Sequence, residues 1–158
     1  MKKVTTVTAM LSILFFNASA VFAHCELPCG IYGDQMRMDM ITEHIITIEK
    51  AMKKIEELSA DKDKNYNQIV RWITNKENHA NELQDIVSQY FMTQRVKPAG
   101  DKDEITDRKL RLLHELLVYA MKAKQTTDQK YIEKLRNCLE DFRSVYFNKA
   151  ELEHLRMH

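Results

Sequence analysis

The chain has 158 residues, with 24 Lys and Arg against 23 Asp and Glu, a net charge of +1 with neutral histidines. Such a balance gives no electrostatic case for nucleic acid or an anionic membrane surface as partner. Three Gly and two Pro, in a sequence whose charges are abundant and interleaved, argue for helices and against a sheet.

The first 23 residues read as a secretory leader, domain 1–23. Lys2 and Lys3 precede an apolar run densest from Ala9 to Phe16, and small residues follow near a cleavage point. The strongly apolar part is well short of the roughly 20 residues a membrane span needs. Two cuts fit. Ala18-Ser19-Ala20 would leave Val21-Phe22-Ala23 as an overhang, whereas Val21-Phe22-Ala23 presents His24 as the new terminus, which is the expected form. Signal peptidase is then a partner, the protein is exported to the periplasm or the extracellular space, and no membrane contact is expected after cleavage. Removing 23 of 158 residues leaves 135, enough for one domain, with 22 basic against 23 acidic residues.

Residues 24–33 are irregular and chemically dense: His24-Cys25-Glu26-Leu27-Pro28-Cys29-Gly30-Ile31-Tyr32. Thiolates are soft, strong donors, and imidazole and a free amine are borderline ones. An amine on His24, the amide nitrogen of Cys25 and the two thiolates lie naturally in a plane, which suits Ni(II) or Cu(II) better than tetrahedral Zn(II). The His24 ring is left over as an axial ligand. A disulfide between Cys25 and Cys29 is the bland alternative, although so small a loop gains little from closure.

Four amphipathic segments follow, domain 34–158. The first runs from Asp34, a candidate N-cap, to Leu58, with Ile41, Ile45, Ile48, Met52 and Ile55 on one face. Asp61-Lys62-Asp63 turns the chain. The second runs from Asn65 to Arg95 with Tyr66, Ile69, Ile73, Ala80, Leu83, Val87 and Tyr90 as its stripe. Asn75-Lys76-Glu77-Asn78-His79 interrupts that stripe, as either a solvated turn or one that faces something polar. Val96 to Gly100 breaks the chain, and Asp101 with Glu104 resembles a capping box. The third helix covers Lys102 to Lys124, with Leu110, Leu113, Leu117 and Met121 or Ala120 inside. Thr127 is a candidate cap for the fourth, whose Tyr131, Leu135, Cys138, Phe142 and Val145 face inward. The tail from Asn148 continues as a short helix or frays. Short connections favour an all-α, up-down-up-down four-helix bundle with an irregular N-terminal metal hook. There is no glycine-rich phosphate loop and no nucleophile elbow.

Other tempting residues have plainer readings. Cys138 sits on an apolar stripe as a buried thiol. His44, His79, His114, His154 and His158 are scattered, and read as surface or boundary residues. Met36, Met38 and Met40 read as adaptable packing or a subunit contact.

The run from His24 to Tyr32 resembles the nickel hook of the nickel superoxide dismutases, His-Cys-x-x-Pro-Cys-x-x-Tyr at the mature terminus, at every fixed position. The likeness extends to mature length, helix count and Gln89-Tyr90-Phe91, which resembles an Asp-Tyr-Phe stretch. The resemblance implies one nickel ion per chain, held by the His24 amine and imidazole, the Cys25 amidate and thiolate, and the Cys29 thiolate. It implies that Tyr32 guards the open face and that superoxide is converted to dioxygen and peroxide by Ni(II)/Ni(III) cycling, with His24, Cys25, Cys29 and Tyr32 as catalytic residues. It also implies a homohexamer, with a nickel-loading chaperone as a further partner. In the family a glutamate early in helix one holds the axial imidazole and is paired with an arginine of helix two. Asp39 stands nearest the first place, in a segment one residue shorter, and Asn75 at the second, with Lys76 and Glu77 beside it. The competing function is an exported nickel or copper carrier using the same claw without turnover. A third reading is a helical interaction module with a Cys25–Cys29 disulfide.

Overall fold

The computed structural model describes residues 30–98, 103–148 and 151. The chain forms two compact units, Met1–Ile31 and Tyr32–His158. Of the first, only Gly30 and Ile31 are described. The second is all-helical among the described residues: α1 Asp34–Ala60, α2 Tyr66–Asp85, a π-helical continuation Ile86–Arg95, α3 Glu104–Gln125 and α4 Lys130–Tyr146. No helix among the described residues is long and apolar enough to cross a membrane.

Helix α1 packs on α2, α2 on α3, α3 on α4, and α4 closes back on α1. The short links at residues 61–65 and 126–129 make neighbours antiparallel, the expected four-helix bundle. The stripe of α1 is buried as its periodicity predicts, with Met38, Ala51 and His44 added to Ile41, Ile45, Ile48, Met52 and Ile55. Leu83, Val87, Phe91, Leu113, Leu116, Leu135 and Phe142 meet it from the other three helices. Each fully buried Leu, Ile or Phe side chain contributes about 1.5–3 kcal/mol by leaving water.

Several local expectations are corrected. Gly33, not Asp34, precedes α1, and the Asp34 side chain makes no cap bond. Asp103 caps α3, accepting from the amides of Ile105 and Thr106, two positions after the expected Asp101. Thr127 does not cap α4; Asp128 accepts from the Lys130 amide instead. Tyr66 and Ile73 are exposed, so the stripe of α2 begins in earnest only at Lys76, Ala80 and Leu83. In α3, Leu112, Leu113, Leu116, Ala120 and Ala123 are buried, and Met121 faces out. At the tail, Asn148 and Glu151 bond each other's amides through their side chains, a reciprocal capping box.

The second helix does not stay α-helical. From Ile86 its turns widen to i→i+5 bonding, and the Val96 amide closes on the Phe91 carbonyl at 2.8 Å. Polar side chains engage carbonyls at the same spacing: Thr93 donates to Ser88 at 2.8 Å and Gln94 to Gln89 at 3.0 Å. Such segments are rare and recur at functional sites because they re-aim side chains. Phe91, Phe142 and Tyr146 stack edge-on or tilted with centroids 5.2–5.6 Å apart, fixing the π segment against α4.

Candidate active site

The expected metal ligands His24, Cys25 and Cys29 lie outside the described residues, and so does Pro28. Gly30 has φ +80, a conformation that strains any residue with a Cβ, so the sequence places glycine where the chain turns. From Tyr32 onward the site can be built atom by atom.

Tyr32 is partly exposed, and its ring lies under the Arg95 guanidinium, 4.2 Å from the centroid, and edge-on to Tyr90 at 6.0 Å. Among the described residues its hydroxyl has no hydrogen-bond partner. The next residue is clamped: the Gly33 amide donates to the Tyr90 hydroxyl at 2.9 Å. That hydroxyl donates in turn to Asp34 Oδ1 at 2.5 Å. Arg95 grips the same carboxylate with both arms, Nε to Oδ1 at 2.7 Å and Nη2 to Oδ2 at 2.6 Å, and Tyr146 donates to Oδ2 at 2.7 Å. Asp34 thus gathers α1, the π segment and α4 at one point, immediately after Tyr32. A carboxylate in the first turn of α1 is also favoured by the helix dipole.

Tyr90 and Arg95 are five residues apart. In an α-helix that spacing points side chains to different faces, whereas i→i+5 turns stack one above the other. The π segment is therefore what lets both reach Asp34. Burial would push the Asp34 carboxyl up, but the hydrogen bonds from Arg95, Tyr90 and Tyr146 outweigh it and hold the group below its ordinary range. Burial and the Asp34 hydrogen bond push the Tyr90 phenol up to about 12, and the same causes raise Tyr146. The Tyr90 proton is thus committed to Asp34 at neutral pH.

Alkaline titration checks this. A phenol raised on folding adds stability below its unfolded value near 10, and that contribution is lost as pH climbs through about 12. Tyr90→Phe should leave the tyrosinate absorbance step near pH 10 unchanged. A loss of one tyrosine's amplitude there would overturn the assignment.

The other expected site residues lie elsewhere. Asp39 is on an exposed face, accepting from Gln35 at 2.7 Å and Arg143 at 3.0 Å. Lys76 is buried, with its pKa lowered by burial, and donates to the carbonyls of Lys124 at 2.7 Å and Thr126 at 3.2 Å, closing the C-terminus of α3. Asn75, Lys76 and Glu77 precede Tyr90 by some four turns on the same helix, on the order of 20 Å along its axis. The structure does not bring Asp39, Asn75, Lys76 or Glu77 to the Tyr32 corner. The residues it does bring there, Asp34, Arg95 and Tyr146, went unassigned by sequence reasoning. The signal available was chemical: a tyrosine on an inward stripe needs a partner for its hydroxyl.

Cys138 decides which thiols can serve a metal. It is buried, donates to the Leu112 carbonyl at 3.2 Å, and burial pushes its pKa up to about 12. Cys25 and Cys29 lie outside the described residues. A family model for nickel-containing superoxide dismutase matches residues 19–150. The chain belongs to that family. No curated protein and no solved structure matches it. The enzyme is an oxidoreductase that dismutes superoxide, and its cofactor is nickel. Family membership does not favour the carrier reading.

Proposed function

We propose that the enzyme is cut after Ala23 and holds its nickel through His24, Cys25 and Cys29, with residues 24–33 as the hook and 34–158 as the four-helix bundle. When bound in this donor set, nickel supplies a one-electron Ni(II)/Ni(III) couple to oxidise one superoxide and reduce the next. The observation that carries the reading is the match of residues 19–150 to the nickel-containing family, a span that includes His24, Cys25 and Cys29, while the clamp at Asp34 fixes the chain directly behind Tyr32. The His24 amine and ring, the Cys25 amidate and thiolate, and the Cys29 thiolate are electron-rich groups that favour a higher oxidation state. Tyr32, its ring pinned by Arg95, narrows access to small species and orients water or peroxide. Tyr90 holds its proton on Asp34 and acts as a positioning group.

Export to the periplasm or beyond, with signal peptidase as a partner, follows from the leader pattern. Self-association fits an apolar strip on α2, where Tyr66, Val70 and Ile73 are exposed at helical spacing. The homohexamer is our reading of that strip together with the family pattern. A nickel-loading chaperone would complete the list of partners.

The terminus provides the test. Protein beginning at His24 should bind about one nickel per chain and dismute superoxide. The same protein beginning at Val21 turns the His24 amine into an amide, a poor donor unless deprotonated. It should lose most nickel and on the order of 100-fold in turnover, at least the loss typical for disturbing a metal's surroundings. Equal nickel and turnover in the two forms would refute the assignment.

A further inference from the structure

Two of the scattered histidines are not scattered in space. His44, on α1, is buried, against the expectation of a surface or boundary residue. Its Nδ1 lies 2.9 Å from Nδ1 of His79 on α2, and Glu82 Oε2 lies 3.5 Å from the first and 3.7 Å from the second. The ring's other nitrogen, Nε2, is buried without a partner among the described residues, so Nδ1 is the atom through which His44 meets polar neighbours there. His79 and Glu82 are one turn apart on α2, so both aim at the same point of α1. His44 is ten residues beyond Asp34, about 15 Å along α1 from the hook's root.

We propose that His44, His79 and Glu82 form a second metal site, for a borderline divalent transition ion of the zinc type. The three donor atoms are spaced so that one point in their plane is about 2.0 Å from all of them, the length of zinc bonds to imidazole and carboxylate. Without an ion, one shared proton satisfies the two imidazoles, and Glu82 stands beyond ordinary hydrogen-bond length from both. Two imidazoles and a carboxylate, with no thiolate, are a donor set of different character from the hook, suited to zinc and its neighbours. His79 is half-buried and Glu82 exposed, so the ion has a way in, and water can complete its coordination. Bound there, it would cross-link α1 to α2 midway along the bundle. The polar interruption in the second helix then has two polar targets: Lys76 faces the end of α3, and His79 faces His44.

The test uses the full mature enzyme loaded with nickel. It is equilibrated with zinc, desalted, and measured for both metals beside His79→Ala and Glu82→Gln. These variants change half-buried and exposed side chains, and melting curves of the zinc-free proteins check that the fold is kept. The expected result is about one zinc per chain above the nickel, a rise in melting temperature with zinc, and at least ~100-fold weaker zinc binding in both variants, with nickel and turnover unchanged. Zinc retention equal in wild type and variants, or no retention at all, would overturn the site and leave the histidines as a hydrogen-bonded pair. Zinc gained only as nickel is lost would place it at the hook and also overturn the proposal. Because nickel is counted separately, failure here is distinct from failure of the hook assignment.

Discussion

Cys29→Ser is expected to remove nickel and dismutation together, while leaving the bundle standing. A serine hydroxyl stays protonated at neutral pH and is a hard donor, so the site loses a thiolate that nickel of this chemistry requires. No other thiol can replace it: Cys138 is packed in α4, tied to the Leu112 carbonyl, with burial holding its proton to about 12. Nickel per chain should fall close to zero, and superoxide decay should slow at least ~100-fold. The substitution exchanges a single sulfur for oxygen, so the metal-free forms of wild type and variant should melt within about 2 °C of each other. Cys138→Ala gives the reverse pattern. It costs about 1 kcal/mol through a small cavity, and leaves nickel and turnover intact. Metal content and stability are therefore separable readouts. If Cys29→Ser kept its nickel and activity, the donor set proposed for the hook would be wrong.

The contrast between hook and clamp shows what a sequence can reveal. The hook can be proposed from sequence because its chemistry is contiguous: the proposed ligands sit within six residues, at a cleavage pattern. The α1 stripe is legible because Ile41, Ile45, Ile48, Met52 and Ile55 obey one period and face one core. The clamp is not legible, because Tyr90 and Arg95 share a face only after the helix widens at Ile86, and α-helical spacing separates them. Asp34 was hidden by its own plausibility. An acid at a helix start reads as a cap, whereas here it serves side chains 56, 61 and 112 residues away. The histidine pair needs the register of α1 against α2, which no spacing along one helix encodes. The apolar residues at the start of α2 mislead in the opposite sense: Tyr66 and Ile73 keep the period yet face outward. The four-helix organisation, by contrast, needed only the patterns and the short links.

Asp34→Asn is expected to loosen the hook's root without emptying the metal site. Asparagine keeps the size and one acceptor oxygen, but its amide nitrogen is a donor. It would face Arg95 Nη2 or the Tyr146 hydroxyl, both donors themselves. The half-buried guanidinium also loses its counter-charge. Lost hydrogen bonds to a charged group, discounted for the remaining exposure, put the cost at about 2–3 kcal/mol. For a domain of this size that lowers the melting temperature by on the order of 10 °C. Tyr146→Phe removes one bond and should cost about 1 kcal/mol. The pH dependence carries the sign of a depressed carboxyl: the stabilisation is complete above the unfolded aspartate value near 4 and disappears as pH falls through the lower folded value. Wild type and Asp34→Asn should therefore differ by a constant amount from pH 5 to 8, and converge below about 4. Nickel content should hold, because Asp34 is not among the proposed donors, while turnover falls on the order of tenfold as Tyr32 loses its fixed backing. Arg95→Lys separates charge from geometry. Lysine restores the charge but cannot reach both carboxylate oxygens in parallel or spread over the Tyr32 ring as guanidinium does, so turnover should recover less than stability. An Asp34→Asn enzyme with wild-type melting and wild-type turnover would show that the clamp does not hold Tyr32 for the reaction.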